Sequence, residues 1–422
     1  MASFPPVFNL SGRLGHLNEA QSTAFDQFKQ RLEEAGYYTP AGEDGEKEAS
    51  HSDATLVRFL RARKFQVDGA YDQFVASENW RKDDKVNELY ENFDVDEFVA
   101  SQLVYSLWTG RRTISGQPLS VYNLNDLTKE RINEYSKKAD RLAPRMTALS
   151  EILTEFVVPL CEALPRDHLE IPIDATTTIE SLFVPISPVV DISNVSLAKF
   201  WSLRNHMIRA SGLQTANYPE MLGQTYIVGA PGFFSTVWGW IQKGFDQGTV
   251  EKVRYSCGGC QSTFAALTRT LRPATQMHIL SESEVFPTLS RYILPENIPK
   301  RYGGTLEFEY NNRPNLDAEA LALLGLDKSE DFPRGPLRFS GKDGLTLLGS
   351  GRREGEGEGM QGRGKGKGVH FMKEPKGEEG GAVETNGAAQ PNGSAPPALE
   401  AAKEVPGAPI KDLAAALEGT TL

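Results

Sequence analysis

The sequence of 422 residues is poor in cysteine and has no surplus of basic residues. Its three cysteines, Cys161, Cys257 and Cys260, are too few for a disulfide framework and favour a reducing compartment. The formal net charge of −11 argues against a general nucleic-acid binder, because attraction to phosphate needs a basic surface. No run of about 18 consecutive apolar residues is present, so no transmembrane helix is expected. The beginning of the chain also lacks the cationic and apolar regions of a secretory signal, and together these absences predict a cytosolic protein.

The sequence also lacks the common catalytic motifs, including the G-x-S-x-G elbow, HExxH and the protein-kinase set. A string that resembles a phosphate-binding loop ends at Lys365, but Gly366 follows it where Ser or Thr is needed. The C-x-x-C pair Cys257 and Cys260 has no second ligand pair for zinc, and we interpret it as small residues in a turn. His206 and His278 could be core residues or ligands of a haem-like group. We therefore predict neither an enzyme nor a metal site.

The hydrophobic pattern divides the chain into regions of different character. Short apolar runs such as "QPLSVYNL" and "QTYIVGAP" alternate with helical segments, which predicts an α/β fold with a mostly parallel sheet. The end of the chain is rich in Gly, Pro and charged residues and too poor in apolar residues to form a core. The predicted regions are a flexible N-terminus (1–17), a helical domain (18–97), an α/β domain (98–312), an extension (313–340) and a disordered tail (341–422).

Five stretches carry a resemblance to a known family. They are "TLVRFLRARKFQVDGAYDQFVASENWRKD", "VVDISNVSL", "NYPEMLGQTYIVGAP", "GFFSTVWGWIQKGFDQGTVEKVRY" and "ILPENIPKRYGGTLEF". In order and spacing the chain resembles the CRAL-TRIO lipid-binding proteins over about residues 53–308, and within them the fungal phosphatidylinositol/phosphatidylcholine transfer proteins. The resemblance implies a helical N-terminal segment, followed by an α/β domain whose mostly parallel sheet floors an apolar cavity for one phospholipid.

The resemblance also implies a helical gate that opens at a membrane. Its apolar residues are Trp238, Trp240, Ile241 and Phe245. Burying a CH₂ group contributes roughly 0.8 kcal/mol, so the transfer of two acyl chains into water is very unfavourable. The gate is therefore expected to open only in contact with the bilayer. Trp suits the membrane interface because its ring is amphipathic. The alternative is that these side chains form an ordinary buried helix.

For the lipid headgroup, the resemblance implies five polar residues: Arg63, Lys64, Glu220, Thr249 and Lys252. Lys252 offers a charge and Thr249 a hydrogen bond to a phosphodiester, whereas Glu220 can accept hydrogen bonds from ring hydroxyls or orient a cation. The alternative for Arg63 and Lys64 is a solvated helix face. The family often has a basic residue after the glutamate, where this chain has Met221, and this leaves the headgroup preference open.

A second lipid, phosphatidylcholine, is implied in the family by hydroxyl groups on a strand that ends in Asp. Two alignments compete, one with the strand that ends at Asp191 and one with Thr176 and Thr178, and both cannot hold. Tyr105 and Tyr122 are predicted to line the cavity.

The resulting hypothesis is a monomeric protein that binds phosphatidylinositol, exchanges it with phosphatidylcholine, and transfers phospholipid between membranes. It would present lipid to kinases for phosphoinositide signalling and vesicle trafficking, as a peripheral protein at Golgi, endosomal or endoplasmic reticulum membranes. The bound phospholipid is its ligand, and no cofactor and no nucleic acid are predicted. The alternatives are a carrier of a sterol, isoprenoid or haem on the same fold, and an adaptor that recruits partners through its tail.

Overall fold

The computed structural model of the chain describes residues 11–42, 47–137, 139–165, 185–230, 234, 253–255, 277–310, 313–340, 344–350 and 369–371. The statements below concern these residues. None of the helices among them combines the length and the apolar character needed to cross a bilayer.

The N-terminal domain is helical, as predicted. Its helices are α1 (Glu19–Glu34), α2 (Asp53–Ala62), α3 (Val67–Asp83), α4 (Val86–Glu91) and α5 (Val95–Ser101). The Asn18 side chain begins α1 through a capping box, and the Ser52 side chain begins α2 by accepting a hydrogen bond from the Thr55 amide. The ring of Phe74 meets Phe28 and Phe59 edge to face, so α1, α2 and α3 share one core.

The predicted flexible N-terminus does not extend to residue 17. Residues 11–17 form a turn in which the Gly12 amide donates to the His16 carbonyl and the Arg61 guanidinium donates to the Ser11 carbonyl. Arg13 is buried within this turn. Gly12 and Gly15 supply the positive φ angles that this turn needs, so the glycines here belong to an ordered turn.

The main sheet has six strands in the order β1-β2-β3-β4-β6-β5. The strands are β1 (Leu107–Arg112), β2 (Pro118–Asn123), β3 (Ser187–Asp191), β4 (Thr225–Val228), β5 (Val253–Tyr255) and β6 (Met277–Leu280). β1 is antiparallel to β2, and every other pair is parallel. The predicted α/β fold with a mostly parallel sheet is confirmed.

Helices cover both faces of this sheet. They are α6 (Lys129–Ser136), α7 (Leu142–Ile152), α8 (Val158–Ala163), α9 (Leu197–Asn217) and the short α10 (Val285–Leu289). A π-helical turn, Leu153–Val157, joins α7 to α8. Pro159 lacks an N–H, and its ring would press on the Glu155 carbonyl in a regular helix, so a wider turn accommodates it.

The predicted disordered tail does not begin at residue 341. After α11 (Ala318–Leu324), a second, antiparallel sheet pairs β7 (Leu337–Ser340) with β8 (Gly344–Leu347) and β8 with β9 (Val369–Phe371). Leu345 and Leu347 of β8 are buried. The prediction failed because the short alternating stretch "GLTLLG" borders a glycine-rich run that dominates the local composition.

The extension is tied to the rest of the fold by hydrogen bonds. The Tyr90 hydroxyl on α4 donates to the Leu337 carbonyl at 2.7 Å and accepts from the Leu337 amide at 3.0 Å. The Asn315 amide donates to the Thr109 carbonyl at the outer edge of β1, next to Gly110. A Cβ atom at Gly110 would lie 2.5 Å from the Asn315 carbonyl oxygen, so this position requires glycine. The extension thereby covers an edge of the main sheet.

Candidate functional site

The two faces of the main sheet differ in how completely they are packed. One face, called the packed face, carries side chains that are at most 2% exposed and lie against α10 and the segment that follows it. These side chains are Leu119, Val121, Val189, Tyr226, Val228 and Leu280. This face is an ordinary hydrophobic core.

The opposite face, called the open face, has two rows of side chains that follow from the strand register. The first row is Ser120, Pro188, Thr225 and Met277, and the second is Tyr122, Val190, Ile227 and Ile279. Val190 belongs to an interior strand and yet remains only half-buried, as do Tyr122 and Met277. Such residual exposure in the middle of a helix-covered sheet indicates incomplete packing above this face.

The open face is bordered by α6 and α9. Ile132 of α6 and Leu203 of α9 contact its apolar residues. Phe234, which is also helical, packs in the same apolar cluster. Tyr135 of α6 packs edge to face against His206 of α9, with ring centroids 5.4 Å apart. The described residues therefore form a floor and part of two walls of an apolar site.

A cluster of three arginines surrounds Glu220 at the turn before β4. The Arg61 guanidinium lies 3.3 Å from the Glu220 carboxylate, and both side chains are mostly buried. Arg58 donates to the Met221 sulfur at 2.8 Å. Burial, together with repulsion from Arg61, lowers the pKa of Arg13 to about 9, although Glu220 opposes the shift.

Burial also lowers the pKa of Arg58 to about 10, although Glu162 and Glu220 oppose this change. Arg13, Arg58 and Arg61 thus lie close to the Glu220 carboxylate, and Glu162 is a second carboxylate that acts on Arg58. Glu220 itself has a φ of 59°, a left-handed conformation that is uncommon outside glycine. The ion pair with Arg61 contacts the Glu220 side chain in this backbone conformation.

Arg63 and Lys64 lie beyond the C-terminal end of α2. The helix α2 ends at Ala62, and Lys64 has a φ of 51°, so the chain turns away from the helix axis. Both side chains are exposed, and Arg61 is the residue that contacts Glu220. The signal that was missed is the spacing of Arg58 and Arg61, which places both on one helix face. Arg13 gave no comparable signal.

The two predicted tyrosines have different surroundings. Tyr122 belongs to the open face. The Tyr105 hydroxyl lies 3.3 Å from the Ser150 hydroxyl and accepts a hydrogen bond from Gln214, so it links α7 to α9. Burial raises the pKa of Tyr105 to about 12. Of the two, Tyr122 is the one that lies among the floor residues.

Asp191 lies on the packed side of its strand. Its carboxylate is 2.9 Å from the Arg301 guanidinium, and it accepts hydrogen bonds from the Tyr302 hydroxyl and the Ser193 amide. Asp191 therefore takes part in contacts within the fold, and the choice between the two alignments for a second lipid stays a prediction.

The two histidines considered as haem ligands lie on opposite sides of the sheet. His278 stacks on Tyr226 of the packed face, and its Nε2 is 2.9 Å from the Gln224 side-chain oxygen. His206 lies on α9, beside Tyr135 and the open face. His206 and His278 therefore cannot both be ligands of one haem-like group. In the part of the chain that the structure describes, no group of three His, Cys, Asp or Glu side chains is arranged to hold a metal ion.

The remaining predicted positions lie outside the described residues. They are Thr176, Thr178, Trp238, Trp240, Ile241, Phe245, Thr249, Lys252, Cys257 and Cys260. Their assigned roles stay predictions.

A small cavity of about 60 Å³ lies away from the open face, between β1, the π-helical turn and the extension. Trp108, Phe156 and Phe332 are among its lining residues. It has room for about two water molecules, which is too little for an acyl chain.

Comparisons with known proteins find two family matches in the chain. A model described as the CRAL/TRIO N-terminal domain matches residues 24–76, and one described as the CRAL/TRIO domain matches residues 108–259. The first match covers α2 and much of α1 and α3, and the second covers β2 to β5 and most of β1 but not β6.

Among individual proteins, the Sec14 cytosolic factor of Schizosaccharomyces pombe is 28% identical over 57% of this chain and 76% of its own length. The SEC14 cytosolic factor of Candida glabrata is 26% identical over 73% of this chain and 87% of its own length. The phosphatidylinositol/phosphatidylcholine transfer protein SFH9 of Arabidopsis thaliana is 24% identical over 47% of this chain and 32% of its own length. The crystal structure of Sfh5 is 18% identical, covers 73% of this chain and 96% of that chain, and has a TM-score of 0.47.

Proposed function

The chain contains both domains of the CRAL/TRIO family, and from this premise we propose that it binds a phospholipid and transfers it between membranes. The observation that carries the proposal is the contrast between the two sheet faces. The packed face is closed by side chains, whereas Tyr122, Val190 and Met277 of the open face retain exposed apolar surface. A non-catalytic role as a carrier follows from this proposal.

The physical basis is the match between an apolar floor and acyl chains. Each CH₂ group kept from water contributes roughly 0.8 kcal/mol, so a diacyl lipid strongly favours a dry site over the aqueous phase. The transfer from a bilayer to an apolar pocket is nearly balanced, because both environments are hydrocarbon-like. A carrier therefore needs a lid that opens at the membrane, and we assign Trp238, Trp240, Ile241 and Phe245 to this lid.

The headgroup we propose is phosphatidylinositol, with phosphatidylcholine as the exchange partner. Two relatives are named cytosolic factors, and a third is named a phosphatidylinositol/phosphatidylcholine transfer protein. The three arginines near Glu220 support an anionic headgroup. We assign Thr249 and Lys252 to the phosphodiester, and Glu220, oriented by Arg61, to the ring hydroxyls. Arg63 and Lys64, whose side chains are exposed, remain assigned to the headgroup.

We further propose that the protein acts in the cytosol as a monomer that visits organelle membranes. Delivery of phosphatidylinositol to lipid kinases would then support phosphoinositide signalling and vesicle trafficking. The tail beyond the second sheet is the part of the chain available for recruiting other partners.

Transfer between vesicles tests the proposal. The purified protein is mixed with donor vesicles that contain labelled phosphatidylinositol or phosphatidylcholine and with unlabelled acceptor vesicles. We expect the wild-type protein to move both lipids, and Lys252→Ala to lose phosphatidylinositol transfer because the phosphodiester loses its cation. Lys85→Ala is the matched control, since Lys85 is an exposed lysine far from β4 in sequence.

Mass spectrometry of an organic extract of the purified protein identifies the ligand directly. A sterol or isoprenoid in place of phospholipid, or a wild-type protein that transfers neither labelled lipid, contradicts the proposal.

A further inference from the structure

Thr225 places a hydroxyl group on the open face at the first position of β4. The residue is 5% exposed, and among the described residues its Oγ1 has no hydrogen-bond partner. Its neighbours in the first row are Pro188 and Met277, which offer no strong hydrogen-bonding group. A buried hydroxyl in such surroundings is uncommon, because buried polar groups are normally paired.

The other hydroxyl in the same row, that of Ser120, does have a hydrogen-bond partner. Ser120 accepts a hydrogen bond from the Ser106 hydroxyl at 2.8 Å. Valine has nearly the shape of threonine, so the substitution Thr225→Val would fill the same space without an unpaired polar group. The hydroxyl of Thr225 therefore costs stability in the empty protein, and a ligand atom that pairs with it would offset this cost.

We propose that the Thr225 hydroxyl donates a hydrogen bond to an ester carbonyl oxygen of the bound lipid, so that the site prefers ester-linked over ether-linked phospholipids. This inference rests on the proposed function. In a diacyl phospholipid, the two ester groups are the strong hydrogen-bond acceptors that lie between the headgroup and the acyl chains. Thr225 follows Glu220 by five residues, so their α-carbons are at most about 17 Å apart, which keeps Thr225 close to the proposed headgroup site.

The first test compares diacyl phosphatidylinositol with its dialkyl ether analogue, which lacks both carbonyl oxygens. Equilibrium binding to the purified full-length chain is measured for wild type, Thr225→Val and Thr225→Ser. We expect Thr225→Val to weaken binding of the diacyl lipid roughly 3- to 10-fold and to leave binding of the ether lipid unchanged. Thr225→Ser keeps the hydroxyl and should retain the preference for the ester.

The second test uses the lipid-free protein. Thr225→Val should raise the midpoint of thermal unfolding, because it removes an unpaired buried hydroxyl. Thr109→Val is the matched control, since Thr109 is also a buried strand threonine but donates to the Leu119 carbonyl at 2.9 Å. The control substitution should lower the midpoint.

The outcomes separate the two proposals. A wild-type protein that binds neither phospholipid overturns the proposed function and this inference together. A wild-type protein that binds both lipids, with Thr225→Val leaving the ratio of the two affinities unchanged, overturns the inference alone. A lower unfolding midpoint for lipid-free Thr225→Val would show that the hydroxyl has a structural partner, and this also overturns it.

Discussion

At the scale of single residues, the arginines near Glu220 show which charged contacts can be predicted from the sequence. Arg58 and Arg61 share one face of α2, and their spacing of three residues could have been used to group them. Arg63 and Lys64 follow closely in the sequence, but the helix ends before them and they are exposed. The burial of Arg13 could not be predicted, because it depends on a turn that packs against Arg61 over a long sequence separation.

Glu97 provides a prediction at this scale. Burial alone would raise the pKa of its carboxyl, but hydrogen bonds from Arg141 and Arg145, at 2.7 to 3.1 Å, outweigh burial and lower the pKa. A carboxylate whose pKa is lower in the folded than in the unfolded protein stabilises the fold above the unfolded pKa of about 4.3. This contribution is lost as the pH falls through the lower, folded pKa.

We therefore expect the substitution Glu97→Gln to reduce the free energy of unfolding at pH 7 and to flatten its decline below about pH 4.3. Urea unfolding between pH 7 and pH 3 measures both effects. Glu88→Gln is the control, because Glu88 forms an exposed pair with Lys85 that contributes little. Equal pH profiles for Glu97→Gln and the wild type would show that the two arginines do not stabilise the folded carboxylate.

At the scale of elements, the hydrophobic period identified the helices and strands better than it identified their ends. Alternation in "QPLSVYNL" predicted β2, and the observed strand lies within that stretch. The π-helical turn before Pro159 was missed, because a helical apolar pattern continues through it. β8 was missed for another reason: four residues are too few to outweigh the glycine-rich composition that follows them.

The contact between α4 and β7 yields a prediction for these elements. Tyr90 is fully buried, and its hydroxyl pairs with both the amide and the carbonyl of Leu337. Tyr90→Phe keeps the ring and leaves both backbone groups without this partner, so we expect a loss of about 1–3 kcal/mol in the free energy of unfolding. Faster hydrogen exchange at the Leu337 amide should accompany it.

Tyr37→Phe is the matched control for this substitution. The Tyr37 hydroxyl pairs with Asn79 at an exposed site, where water can replace the lost partner. Its effect should stay within about 0.5 kcal/mol. If the two substitutions have equal effects, the Tyr90 hydroxyl does not hold β7 to α4.

At the scale of the whole molecule, the α/β class and the helical N-terminal domain followed from periodicity and from the resemblance. The difference between the two sheet faces did not, because it depends on which side chains of β2, β3, β4 and β6 become neighbours. Val189 and Val190 have the same side chain, and the fold makes the first fully buried and leaves the second only half-buried. The assembled sheet, and not local sequence, thus defines the proposed lipid-binding floor.

The last prediction concerns the residue at which the folded part of the chain ends. The chain divides into one unit of residues 1–372 and a second of residues 373–422. A chain that ends at residue 372 keeps β7, β8 and β9, and we expect its unfolding midpoint and its lipid binding to match those of the full-length chain. A chain that ends at residue 340 loses β8 and with it the buried side chains of Leu345, Leu347 and Leu348.

Burial of one leucine side chain is worth about 1.5–3 kcal/mol, so the loss of three should lower the free energy of unfolding by more than about 4 kcal/mol. It also leaves β7 without its strand partner, which favours aggregation through the free edge. Urea unfolding and light scattering of the two truncated chains measure these effects. Equal stability of the chains that end at residues 340 and 372 would mean that the second sheet is not part of the folded core.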